Sequence, residues 1–206
     1  MDVLRRIARA YIRFADGISE VTGEMSKYLV IVLIIVGVAN VVLRYTGQLI
    51  GQKLVNNTII EAQWYLYTLI FLLGFGYILK HGINVRVDFW YAEQPIKRRA
   101  WIDLIGHLIS LIPYSILALY VTWEPVLRSW GLRPDGTWGP WEMSPDPNGL
   151  PRAPIKSMVI VAFVILLLQG IAEILKLIGI LLEGEEVIEE VEVAAILDKE
   201  APLRIE

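Results

Sequence analysis

Cysteine is missing altogether from the 206 residues, so disulfides, thiolate metal sites and cysteine nucleophiles are excluded. Histidine is scarce, with His81 and His107 the only two. None of the 16 glycines forms a dinucleotide fingerprint or a phosphate-cradling loop. No serine–histidine–acid arrangement can be justified either. The formal charge is only −3, without the clustered basic residues on a soluble domain that a nucleic-acid interface needs. The residues therefore offer no active site. No catalytic residue, no metal and no cofactor is expected, no nucleic acid is expected as a partner, and the chain does not read as an enzyme.

Apolar residues, by contrast, are abundant. The chain is 55% hydrophobic with a mean hydropathy of +0.53, too apolar for an ordinary soluble domain. The apolar residues fall in four blocks suited to crossing a hydrocarbon layer of roughly 30 Å. Span one runs from about Lys27 to Leu43, span two from Gln63 to Leu79, span three from Trp101 to Val121 and span four from Ile155 to Leu182. Pro113 lies in the middle of span three and predicts a kink. The expected fold is thus an all-α integral membrane protein of four transmembrane helices.

Residues 1–26 precede the first span and have a helical period. Val3, Leu4, Ile7, Tyr11, Phe14, Ala15 and Ile18 share an arc of about 120°, with Arg5, Arg6, Arg9, Arg13, Asp2 and Asp16 opposite. That pattern predicts an amphipathic helix lying in the headgroup layer. Arginines run through the segment and no small-residue cleavage site follows the next apolar run, which argues against a signal peptide. Residues 183–206 hold nine acids and two bases, a local charge of −7 that leaves +4 on the remainder. They form an acidic tail.

Basic residues set the expected orientation. Arg5, Arg6, Arg9, Arg13 and Lys27 precede span one, and Lys80, Arg86, Lys97, Arg98 and Arg99 lie between spans two and three. Only Arg44 and Lys53 lie between spans one and two. Both termini and the middle loop are therefore expected in the cytoplasm, and the loop over residues 122–154 outside it. The stretch from Thr122 to Ser157 holds seven of the ten prolines and four of the seven tryptophans: Trp123, Trp130, Trp138 and Trp141. Proline at that density argues against regular helix. The rings suit either an interfacial belt or an ordered cap that packs on a partner outside the membrane.

Polar residues near the spans are the remaining candidates. Gln169, Glu173 and Lys176 recur at i, i+4 and i+7 on span four, and ionisable groups in a span mark either function or a partner surface. At the end of the span, Glu173 and Lys176 are expected to pair or snorkel. Asp103 and His107, four apart, predict a local pair, and Asn40 and Arg44 close span one. No internal repeat and no matched pair of broken helices appears, so a complete transporter is not expected. The chain reads as a subunit.

The stretch Glu61-Ala62-Gln63-Trp64-Tyr65-Leu66-Tyr67, then Gly74-Phe75-Gly76, then Lys80-His81-Gly82 leading to Val85-Arg86-Val87-Asp88 resembles a known signature. It is similar to that of the small membrane subunit (DctQ-like) of tripartite ATP-independent periplasmic (TRAP) transporters, with Asn84 standing where that pattern has histidine. The long proline- and tryptophan-rich connection resembles the mannitol and chloroaromatic-type branch. The resemblance implies a bacterial inner-membrane scaffold subunit of a sodium-coupled system for organic-acid uptake. Its implied partners are a large elevator-type membrane subunit, a periplasmic solute-binding protein and membrane lipids. As subunit or lipid contacts it points to Glu61, Trp64, Tyr65, Gly74, Gly76, Lys80, Arg86 and Asp88, to which the polar stripe on span four adds Gln169 and Glu173. As docking residues for the binding protein it points to Trp130, Trp138 and Trp141. The rival readings are the small subunit of a tricarboxylate-type tripartite system and a redox-enzyme anchor that would use His81 and His107.

Overall fold

The computed structural model describes residues 2–83, 88–91 and 93–183. Among the described residues the secondary structure is helical, with only two isolated bridges, Leu132 with Trp138 and Met143 with Pro151. The helices are α1 (Asp2–Ile50), α2 (Asn57–Lys80), α3 (Asp88–Tyr91), α4 (Ile96–Gly106), α5 (Ile112–Ser129) and α6 (Arg152–Glu183). A π-helical turn at His107–Leu111 joins α4 to α5. Among the described residues four helical stretches are long and apolar enough to cross a membrane: Val3–Ile50, Asn57–Lys80, Ile96–Ser129 and Arg152–Leu182. The described residues fall into two compact units. One is drawn from 2–21, 75–83, 88–91, 93–117 and 164–183, the other from 22–74 and 118–163.

α1 is one unbroken helix that carries both the amphipathic lead-in and the first span. It buries a face offset from its most apolar one, the two sharing Ala15. Val3, Leu4, Ile7 and Phe14 are exposed, while Ile12, Ala15, Ser19, Gly23 and Ser26 are buried. Small residues let helices approach closely where lipid removes the usual hydrophobic drive, and they follow the i, i+3, i+4, i+7 rhythm of one helix face. In the first unit Ile12 and Ala15 pack on Ala172, with Tyr11, Leu168 and Leu175 around them. Ala100, Leu177 and Ile180 make a second cluster there.

Helix ends follow local chemistry. α2 ends with Lys80, a cation favoured at the negative end of a helix dipole. It closes in a Schellman motif: Gly82 N–H donates to Leu79 O at 3.2 Å and Ile83 N–H to Ile78 O at 3.2 Å. Gly82 has φ +61°, and Gly131 plays the same part after α5 with φ +101°, a region that favours glycine.

Prolines act less simply than their density suggests. Pro113 has no N–H to donate, and the turn just before it is π-helical, Ile112 N–H reaching back to His107 O. Pro125 lies inside α5, which runs to Ser129, so part of the proline-rich stretch is helical and the irregular connection spans 130–151. Serine and threonine hydroxyls donate to carbonyls along this helix: Ser115 to Leu111 O, Thr122 to Ala118 O and Ser129 to Val126 O.

Candidate functional site

Three constellations of polar groups stand out, each within one compact unit. The first joins α1 to α6. Gln169 is completely buried, and Glu173 and Lys176 are 7% and 5% exposed. Gln169 Nε2 donates to Asp16 Oδ1 at 2.8 Å and to Glu173 Oε1 at 2.7 Å, while its Oε1 accepts from Ser19 Oγ at 2.7 Å. Lys176 Nζ donates to the same two carboxylates at 2.9 Å each. One ammonium and one amide thus hold two carboxylates in a site shielded from solvent. A buried charge is tolerable only when paired and hydrogen-bonded, and every group named here is. The helical stripe Gln169, Glu173, Lys176 was visible in the sequence; its partners Asp16 and Ser19, some 150 residues earlier, were not.

Gly76 explains how α2 approaches this region. A Cβ added there would lie 2.6 Å from Ser19 Oγ and 2.7 Å from Ile165 Cγ2. Gly76 therefore serves packing within the chain. Gly74, two residues earlier, is half-buried.

The second constellation lies at the end of α2. Lys80 Nζ donates to Glu20 Oε2 at 2.7 Å, and His81 Nε2 lies 3.0 Å from the same oxygen, its ring stacked near Tyr77 with centroids 4.2 Å apart. The expected pairing of Asp103 with His107 takes another form. His107 Nδ1 lies 2.6 Å from the backbone oxygen of Asp103, while the Asp103 carboxylate accepts from the Tyr91 hydroxyl. The spacing was right, but in a helix the carbonyl at i−4 is nearer than the side chain. Asn84, Val85, Arg86 and Val87 lie outside the described residues, as do the side chain of Asp88 and the tail from residue 184 onward.

The third constellation fixes the connection 130–151. Glu61, buried one turn into α2, accepts from Ser144 Oγ through one oxygen and from Leu150 N–H through the other. Around it Thr58 Oγ1 donates to Asn148 O and Tyr65 OH to Pro151 O at 2.8 Å. Arg152 lies over the Trp64 ring, 6.0 Å from its centroid, and Trp64 meets Tyr65 edge-on. Gly149 sits so close to Ser144 and Glu61 that any side chain there would collide. Lys156 Nζ pairs with Glu142, and Trp130 Nε1 donates to Ser157 Oγ at 2.7 Å. Trp130 and Trp141 pack edge-to-face with centroids 4.6 Å apart. Asp135 accepts from both Thr137 N–H and its hydroxyl, and these bonds hold its carboxyl below the usual carboxylate range.

This connection is therefore ordered by contacts at several points, yet it leaves aromatic surface bare. Trp138 is 63% exposed and Trp141 52%, with Met143 also exposed, and Trp123 on α5 is 56% exposed. Asn40, singled out at the end of span one, is buried with its Oδ1 unpartnered among the described residues. The described residues contain no group of three or more histidine, aspartate or glutamate side chains placed to hold a metal ion.

No curated protein and no solved structure matches the chain. A family model does: residues 33–179 match the one described as "Tripartite ATP-independent periplasmic transporters, DctQ component". The match takes in most of the helical body, including the Glu61 clasp and the aromatic connection. With well over half of its length matched, the chain belongs to the DctQ component family of tripartite ATP-independent periplasmic transporters.

Proposed function

We propose that this small TRAP component is a non-catalytic brace for a large elevator-type membrane subunit, in a sodium-coupled system that takes up an organic acid. The observation that carries the reading is the DctQ match over residues 33–179. The buried network that ties α1 to α6 supports it, because a lock between helices suits a static scaffold. The proposed setting is the bacterial inner membrane with both termini cytoplasmic. The interfacial lead-in would be 1–26, the membrane body 27–182 and the acidic tail 183–206. In that frame the connection 130–151 faces the periplasm, where the solute-binding protein docks. Glu61, Trp64, Tyr65, Gly74, Lys80, Arg86 and Asp88 remain candidates for contact with the large subunit or with lipid, whereas Gln169 and Glu173 are buried among partners within the chain.

A pull-down of the tagged chain from its native membranes in mild detergent tests the reading. A polytopic partner of about a dozen spans is expected among the co-purifying proteins. A flavin or iron–sulfur protein in its place would overturn the scaffold assignment and favour a redox anchor.

Docking has its own test. Trp138→Ala with Trp141→Ala removes two exposed rings from a patch whose rigid aromatic groups suit an interface hot spot. The expected result is an association with the binding protein about 30-fold weaker, the loss of one hot-spot residue, with the large subunit still co-purifying. Unchanged uptake by the double variant would count against docking at this patch.

A further inference from the structure

We propose that the turn between α1 and α2 binds the anionic headgroup of a phospholipid. A cavity of about 510 Å³ opens there, lined among others by Arg44, Lys53, Gln48, Gln52, Leu54 and Ile60. Its size lies within the range of ordinary ligand sites, roughly 300–1,000 Å³. The turn itself is well defined: Gln52 N–H donates to Gly47 O at 2.9 Å and closes α1, and Gly47 lies against the Gln52 carbonyl with no room for a side chain.

The charge of the cavity is one-sided. Arg44 and Lys53 face it, and no acidic residue occurs from Met25 to Ile60. Among the described residues neither cation has a carboxylate partner. The first acid beyond the turn is Glu61, and both its oxygens are engaged by Ser144 and Leu150. A planar guanidinium matches phosphate with two parallel hydrogen bonds, and the lysine adds a point charge. The amides of Gln48 and Gln52 offer neutral donors beside them.

The apolar part of the lining decides the source of the anion. Leu54, Val55 and Ile60 are its apolar lining, and Tyr45, Leu49 and Ile50, neighbours in sequence of the lining residues, are exposed. The cavity lies where two candidate spans, Val3–Ile50 and Asn57–Lys80, come to their adjoining ends. An anion that carries an apolar tail matches all of this; a free anion uses only the charged half. The lack of an acid also distinguishes headgroups. The ammonium of a zwitterionic lipid finds no carboxylate here, whereas phosphatidylglycerol brings no cation to be accommodated.

The test uses the full chain purified in mild detergent and titrated with phosphatidylglycerol or phosphatidylcholine, with bound lipid counted by native mass spectrometry. Arg44→Gln with Lys53→Gln should weaken phosphatidylglycerol binding about 30-fold, since each basic group at an anionic surface is worth about a fivefold factor. Phosphatidylcholine binding should be weaker in the wild type and unaffected by the substitutions. Arg44→Lys keeps the charge but loses the fork, and should give a smaller loss with an unchanged melting curve. Equal phosphatidylglycerol affinity in the wild type and the double variant overturns the proposal, as does equal affinity for the two lipids. Displacement of the lipid by millimolar inorganic phosphate or succinate overturns the lipid assignment and marks a site for free anions.

Discussion

Lys176→Met should cost about 3–5 kcal/mol of stability, the usual penalty for removing one partner from a buried ion pair. Methionine preserves most of the volume, so the loss is electrostatic. The Lys176 side chain is 3% exposed, that of Glu173 9% and that of Asp16 21%. Without the ammonium, two carboxylates share only the Gln169 amide as a donor. A loss of this size is a large part of a typical protein's stability, so low folded yield is expected as well. The measurement is unfolding in detergent, by temperature or by added denaturing detergent. A triple change of Asp16→Asn, Glu173→Gln and Lys176→Met removes all three charges and should be less destabilised than Lys176→Met alone, because no uncompensated charge is then left buried. If the single variant unfolds like the wild type, the network is not the lock between α1 and α6 that its geometry describes.

The contrast between this network and the spans shows what was readable in advance. Hydropathy alone located four membrane-length helices, because a bilayer demands a long apolar run whatever the helix packs against. Packing faces were less accessible. On α1 the helical period sorted Val3, Leu4, Ile7, Tyr11, Phe14, Ala15 and Ile18 to one side, yet Val3, Leu4, Ile7 and Phe14 are exposed and only the edge at Ala15 and Tyr11 packs inward. In water the apolar arc turns inward; in a bilayer small residues pack and large apolar ones face the hydrocarbon. Asp16 was grouped with the arginines because it is polar, and nothing local reveals that its partner is Lys176. Gln169 and Glu173 stood out since a polar stripe in an apolar helix is conspicuous wherever its partners lie. Helix ends were obscured for another reason. Pro125 reads as a breaker, yet α5 passes through it to Ser129, and a lone missing N–H is tolerated where water or hydroxyls meet the freed carbonyl. The role of Glu61 was also hidden: an acid near the start of a helix suggests a dipole contact, while its actual partners, Ser144 and Leu150, lie more than eighty residues away.

Glu61→Ala should release the connection 130–151 from α2 and raise its cleavage rate by protease at least tenfold, since local opening exposes a segment in proportion to its open population. The carboxylate is the one group that holds both Ser144 and the Leu150 N–H, and alanine offers neither an acceptor. Gly149 has no side chain to fill the space left behind. Glu61→Gln behaves differently, because an amide keeps one oxygen for Leu150 and the Ser144 hydroxyl can rotate to accept from the new N–H group. Its cleavage should stay within about threefold of wild type, within the context-dependent spread for a neutral hydrogen bond that replaces a charged one. The same pair of variants separates two roles for the residue. If Glu61 positions the loop, alanine loosens the segment and weakens docking at Trp138 and Trp141, while the large subunit still co-purifies. If Glu61 instead contacts the large subunit, both substitutions reduce co-purification and the protease pattern of the isolated chain does not change. Identical cleavage in all three proteins would remove the clasp from any account of how the aromatic surface is held.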